Sequence, residues 1–247
     1  MNNGTIDLQR NGFIATLVIN RPAKLNALTP EMLEQLLAHC HTLETDSEIR
    51  VVLLTSASEK AFCVGADIHR WTSLSALDMW RNWIRRGHQA FDALAQLPGG
   101  GLELAATADI RICSAEAQMA LPETGLATVP GWSGTQRLTA LLGRSLVKEL
   151  VFTGEPLDAQ RALSCGLVNR VVARETLHDA GLQLAQRIAQ RAPVAVQIAK
   201  QVIDAGEGIA VASTLEALAG AFSATTEDAH EGSQAFTEKR QPHFSAR

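Results

Sequence analysis

Val51-Val52-Leu53-Leu54-Thr55 is an unbroken run of aliphatic and β-branched residues, too short for a helix of its own and apolar at successive positions. Such a run reads as a strand covered on both faces, so the chain must supply layers on either side of it. The flanking pattern does so. Residues 5 to 10 and 13 to 19 read as strands joined at Asn11-Gly12, a dipeptide that accepts the positive φ of a tight hairpin. Thr29-Pro30 supplies an N-cap and a first-turn proline, and Met32, Leu33, Leu36, Leu37 and Cys40 recur at helical spacing. Trp80, Trp83, Ile84, Gly87, Phe91 and Leu94 predict a second helix, and residues 110–113 and 119–121 two short strands. Strands and helices alternate to about residue 172. Beyond it only helices are expected: residues 176–191, one from Pro193, a stripe at Leu215, Leu218 and Phe222 after breaks at Gly206 and Gly208, and a last one from Thr226.

At 46% hydrophobic residues, 247 residues bury a sizeable core. A net charge of −4 without a basic block excludes an extended nucleic-acid or anionic-membrane surface. The four cysteines, Cys40, Cys63, Cys113 and Cys165, lack Cys-x-x-Cys spacing and read as free thiols of a reducing compartment. The seven histidines form no metal-ligand pattern, so no metal is expected. With no signal-like N-terminus or apolar run of about 18 residues, the expected location is cytoplasmic.

Three backbone-exposing turns stand beside acidic residues: Cys63-Val64-Gly65-Ala66-Asp67, then Gly99-Gly100-Gly101 before Glu103, and Leu121-Pro122-Glu123. Glycines bring N–H groups close to a ligand, buried carboxylates move protons, and Gly101 to Ala106 can begin a helix whose positive end would aid such donors. Each turn alone is more simply local geometry, and a lone helical glutamate more often faces solvent; their co-occurrence favours proton transfer beside a stabilised oxyanion. Cys63 has only His69 nearby in sequence and reads as small apolar filler rather than a nucleophile.

These segments, with Asn20-Arg21-Pro22, Lys24-Leu25-Asn26-Ala27-Leu28, residues 130–138 (PGWSGTQRL), Gly166-Leu167-Val168 and Phe236-Thr237-Glu238-Lys239-Arg240, resemble the enoyl-CoA hydratase/isomerase (crotonase) family over nearly the whole chain. The resemblance implies an α/β fold, a crotonase-like spiral of repeated ββα units with a C-terminal helical appendage, divided as 1–190 and 191–247, the latter used for trimerisation. It implies Glu103 and Glu123 as catalytic acids holding a water, with Glu103 activating that water toward Cβ and Glu123 delivering a proton to Cα, the roles reversing for dehydration, and the N–H groups of Ala66 and Gly100 as the oxyanion hole. Lys24, Leu25, Ala27, Val64, Gly65, Asp67, Ile68, Pro130, Gly131, Trp132, Phe236 and Lys239 are the implied substrate contacts; core packing is the competing role for Trp132 and Trp71. The expected substrate is an acyl-CoA thioester, with coenzyme A part of the substrate, no separate cofactor, and a homotrimer or homohexamer as the assembly. The implied reaction is hydration of a 2-enoyl-CoA; double-bond isomerisation is the alternative, and relatives with other activities often keep only one of the two acids. The chain departs from the family in one place. About a dozen residues, a buried strand and a turn, are absent between Pro98 and Gly99, which would leave backbone groups on the neighbouring strands unpaired and makes a non-catalytic acyl-CoA-binding protein a third reading.

Overall fold

The computed structural model describes residues 3–71, 74–96, 101–126, 128–205, 218, 222 and 225–245. Strands β1 (Thr5–Asn11) and β2 (Ile14–Asn20) form the expected antiparallel hairpin, with Asn11 opposite Ile14 and Gly12 at φ 57°. Alternation along β2 sends Ala15, Leu17 and Ile19 into the core. Helix α1 (Pro30–Glu44) crosses over to β3 (Val51–Ser56), which runs parallel to β2, so the sheet order is β1-β2-β3. The Thr29 side chain caps α1 by accepting from the Met32 N–H at 3.3 Å.

Two short helical turns, α2 (Ile68–Trp71) and α3 (Ala76–Asp78), precede a π-helical stretch, Met79–Ile84, that leads into α4 (Arg85–Gln96). Helices α1 and α4 pack together over the sheet. Met32, Leu33, Leu36, Phe91, Leu94, Trp83 and Trp132 join Leu17 and Ile19 in one apolar cluster. A second cluster gathers Leu121, Leu138, Leu150, Leu157, Ala162 and Leu167. Its elements are β4 (Ile112–Ser114), β5 (Gln118–Met119), α5 (Gly134–Leu142), α6 (Arg144–Thr153), β6 (Leu157–Asp158), α7 (Ala159–Ser164) and β7 (Arg170–Val172). Strands β4 and β7 pair parallel, and β5 and β6 antiparallel.

Three sequence expectations are corrected. Strand β4 starts at Ile112 rather than Ile110, because the Arg111 N–H is taken by the Asn169 side chain at 2.8 Å while its guanidinium bonds the carbonyls of Leu167 and Ala108. Strand β5 ends at Met119, because it pairs Met119 with Leu157 and the next residue of the partner strand, Pro156, has no N–H to offer. The helix expected to begin at Gly101 is a five-residue π-helical turn, Gly101–Ala105, ended where the Thr107 hydroxyl donates to the Leu104 carbonyl at 2.6 Å. So short a turn adds no sustained dipole to an oxyanion site.

Among the described residues β3 pairs only with β2, and β4 only with β7. Residues 97–100 themselves lie outside the described residues.

The chain divides into two compact units, Met1–Gln183 and Leu184–Arg247, the division falling within α8 (Leu177–Ala189). In the second unit α9 (Pro193–Asp204) starts at its proline, and α10 (Glu227–Glu238) is capped by the Thr226 side chain. The residues after α10 fold back on it: the carboxylate of Asp228, 2% exposed, accepts from the Ser245 N–H at 2.6 Å, and Glu231 pairs with the two terminal guanidinium nitrogens of Arg240 at 2.6 and 2.9 Å. The expected breaks at Gly206 and Gly208, and Leu215, lie outside the described residues; Leu218 and Phe222 are helical and exposed.

Candidate active site

A buried polar frame sets the turn at residues 61–67. Leu25 and Asn26 take left-handed backbone conformations, φ 50° and 59°, which bends the chain after Pro22–Lys24 and turns the Asn26 side chain inward. Asn26, fully buried, accepts from the Arg21 N–H at 2.7 Å and donates to the Ser56 hydroxyl at 2.7 Å and the Phe62 carbonyl at 3.0 Å. The Arg21 guanidinium donates to the Ala27 carbonyl at 3.0 Å and pairs with Asp67 at 2.7 Å, both side chains 8% exposed. Burial alone would raise the Asp67 carboxyl, but the Arg21 hydrogen bond and charge, with the His69 N–H, bring it below its ordinary value. Arg21 and Asn26 were visible only as members of a motif; nothing in their spacing assigns them this work.

Leu28 then pairs with the turn as a short parallel bridge, its N–H donating to the Gly65 carbonyl at 2.8 Å and its carbonyl accepting from the Asp67 N–H at 2.9 Å. Leu28 spans Gly65 and Asp67, so the N–H of Ala66 points away from it and has no acceptor among the described residues. Gly65 has φ 93°, a conformation costly for any other residue. Its N–H donates to the Cys63 sulfur at 3.3 Å, and burial pushes that thiol up to about 11, so Cys63 braces the turn as a neutral thiol. Glu103 also raises it, which places the glutamate beside this turn. Gly100, the other expected oxyanion donor, lies outside the described residues.

Glu103 is held by one oxygen. Ser133, at φ 63° and ψ 14°, occupies the left-handed region immediately before α5, so the N–H groups of Trp132 and Gly134 converge and donate to Glu103 Oε1 at 3.1 and 3.0 Å. A non-glycine residue in that conformation is uncommon and strained, a condition met mostly where geometry is over-determined. Burial raises the Glu103 carboxyl above its ordinary value against the opposing pull of these two bonds and of nearby His88 and Arg137. The sequence reading missed His88 and Ser133; only a non-glycine αL turn, which no local signal announces, brings the second into play.

Glu123 opens the 3-10 turn Glu123–Leu126. Its Oε2 is buried with no hydrogen-bond partner among the described residues. Burial raises its carboxyl against the pull of its own backbone N–H, and the charge of Glu103 adds to the rise. The two acids therefore sense each other and titrate as a coupled pair, with a neutral Glu123 the cheaper state for an oxygen that has no donor. A carboxyl raised on folding favours the folded state most below its unfolded value, about 4.5, and that advantage is lost as pH rises through the folded value. Glu123→Gln is thus expected to raise the melting temperature at pH 7 relative to the parent and to give no such gain at pH 4; a gain equal at both values would show that ionisation of Glu123 costs nothing.

The family model for enoyl-CoA hydratase/isomerase matches residues 9–87 and 94–247. The chain belongs to that family. It is 38% identical to the short-chain-enoyl-CoA hydratase of Clostridium acetobutylicum, covering 97% of both chains, and 33% identical to the crotonyl-CoA hydratase of Syntrophomonas wolfei with the same coverage. The crystal structure of an enoyl-CoA hydratase from Bacillus anthracis superposes with a TM-score of 0.93 at 33% identity over all of both chains, confirming the crotonase-like fold.

Within this family member the other implied contacts are distributed unevenly. Val64 and Ile68, 55% and 47% exposed, and Leu25, 40% exposed, present apolar surface beside the 61–67 turn, and Lys24 is exposed on the same loop. Ala27 and Asp67 are buried, the carboxylate of Asp67 already engaged by Arg21 and by the His69 N–H at 3.0 Å. Pro130 and Gly131 are half-buried; the Trp132 ring is core, and only its backbone faces Glu103. Phe236 is 87% exposed on α10, and Lys239 ends that helix in an αL conformation at φ 55°. The Trp71 side chain is outside what the structure describes. Among the described residues no group of three or more His, Cys, Asp or Glu side chains is placed to hold a metal ion.

Proposed function

We propose that this protein is an enoyl-CoA hydratase, adding water reversibly across the 2,3 double bond of a 2-enoyl-CoA thioester. One observation carries the reading: Glu103 is clamped through Oε1 by two N–H donors, while Glu123 keeps a buried oxygen with none among the described residues. The clamp favours an ionised Glu103 with Oε2 left to accept a proton; the unpartnered oxygen favours a protonated Glu123. Water loses a proton to Glu103 as its oxygen bonds C3, and Glu123 delivers its proton to C2. The product leaves the pair with the proton exchanged between them, and dehydration runs the same steps in reverse. Charge that builds on the thioester oxygen is met by the Ala66 N–H and, by the family resemblance, that of Gly100. Relatives named as hydratases support the same activity.

Incubation with crotonyl-CoA is expected to bleach the conjugated-thioester absorbance as 3-hydroxybutyryl-CoA forms. A 3-enoyl-CoA that gains this absorbance while crotonyl-CoA is untouched would make the protein an isomerase, and no change with either would make it a binding protein.

A further inference from the structure

The turn that clamps Glu103 is itself keyed into a slot on the helix beside it. Gly87 sits buried in the first turns of α4, where glycine costs about 1 kcal/mol of helix propensity relative to alanine. Its φ is not positive, so backbone freedom does not explain it. Space does. A Cβ at Gly87 would fall well inside contact distance of Nε1, Cδ1 and Cε2 of the Trp132 indole. One helical turn to either side stand Trp83 and Phe91, whose rings lie 5.5 and 5.2 Å from the Trp132 ring, the second edge-on. All three aromatic rings are nearly fully buried, so the indole has little room to move in this close-packed slot. Trp132 and Gly134 flank Ser133, and a Cβ on Gly134 would in turn overlap the Glu103 side chain at Cγ, well inside contact. Two bare Cα positions thus stand in series: one admits the indole, the other admits the carboxylate that the indole's own backbone holds.

We propose that Gly87, with Trp83 and Phe91, is a positioning site for Glu103, seating the Trp132 indole so that the Ser133 turn aims the Trp132 and Gly134 N–H groups at Oε1. The site rests on the hydratase reading for its kinetic consequence, but not for its structural one. Filling the slot pushes the indole out, tilts the turn and releases the carboxylate from its two donors. Loss of donors favours the protonated form. His88 and Arg137 also act on Glu103, as does Glu123 across the site, so the slot's effect must be separated from theirs.

The test is Gly87→Ala, alone and combined with Trp132→Phe, whose smaller ring leaves room for the methyl group. With crotonyl-CoA, kcat is expected to fall about 10- to 100-fold in Gly87→Ala with KM within about twofold, the scale of a displaced catalytic group, and to recover in the double variant. Carboxyl NMR of the folded protein, with Glu103 assigned by Glu103→Gln, needs no activity. The Glu103 titration midpoint is expected to rise in Gly87→Ala, to return in the double variant, and to rise equally in a His88→Gln background. An unmoved midpoint, a rise that vanishes with His88→Gln, or a folded double variant without recovery overturns the slot. Wild-type protein inert toward crotonyl-CoA would sink the hydratase reading alone. Should Gly87→Ala fail to fold, Trp132→Phe by itself leaves a gap where the methyl group leaves a clash, and a midpoint unmoved in it overturns the proposal equally.

Discussion

Glu103→Gln is expected to lower kcat for crotonyl-CoA hydration by about 10³-fold, roughly 4 kcal/mol of barrier, with KM changed less than about threefold. Glutamine keeps the volume, and its carbonyl oxygen can still accept from the Trp132 and Gly134 N–H groups, so the turn before α5 stays in place. What it removes is the second oxygen's capacity to take a proton. Glu123→Gln should cost about as much, because neither half of the proton exchange proceeds alone. The double variant should be little worse than either single one, as for groups that act as a unit. The pH profile gives an independent reading. Burial raises both carboxyls, so the acid limb of kcat/KM in the parent should lie above the usual carboxylate range, and this limb should disappear in Glu103→Gln. Either glutamine variant turning over at the parent rate would rule out the two-carboxylate mechanism.

The second large effect is on stability. Asp67→Ala leaves the Arg21 guanidinium, 8% exposed, without its counter-ion, and is expected to destabilise the protein by about 3–5 kcal/mol, the scale for breaking a buried ion pair by removing one partner. Arg21 also holds the Ala27 carbonyl, and its Nε already lacks a partner among the described residues, so none of them stands ready to take over as acceptor. The loss should be largest at neutral pH. A carboxyl lowered on folding contributes stability above its unfolded value, about 3.8, and that contribution disappears as pH falls through the folded value. Urea midpoints of parent and variant should therefore converge in acid; a constant gap down to the acid limit would assign the loss to packing rather than charge. Because the Arg21–Asp67 pair joins the 21–28 loop to the turn carrying Ala66, the variant should also weaken oxyanion stabilisation before it unfolds.

Periodicity and turn chemistry were enough to locate the hairpin at Gly12, the capped start of α1 at Thr29, β3 and the start of α10 at Thr226. In each, the cause is local: a glycine that accepts positive φ, a hydroxyl three residues from an N–H, an apolar run of strand length. Expectations failed where a distant group took the local one's place. Ile110 and Arg111 look like strand, but Asn169, far along the chain, claims the Arg111 N–H. The residues after the triple glycine look like a helix, but the Thr107 hydroxyl ends the turn first.

The sequence alone determined which residue types stand where: two glutamates near glycine-bearing turns, and a family pattern running nearly end to end. Those are properties of neighbours along the chain, and short-range sterics and hydrogen bonding make them readable. Only the tertiary structure supplied a physical difference between the two glutamates. Glu103 meets two converging N–H groups from the turn at Ser133, about thirty residues away, whereas Glu123 buries an oxygen that meets none among the described residues. A carboxyl's proton affinity follows from what surrounds it in space, and burial and donors are fixed by packing between segments that the linear order leaves apart.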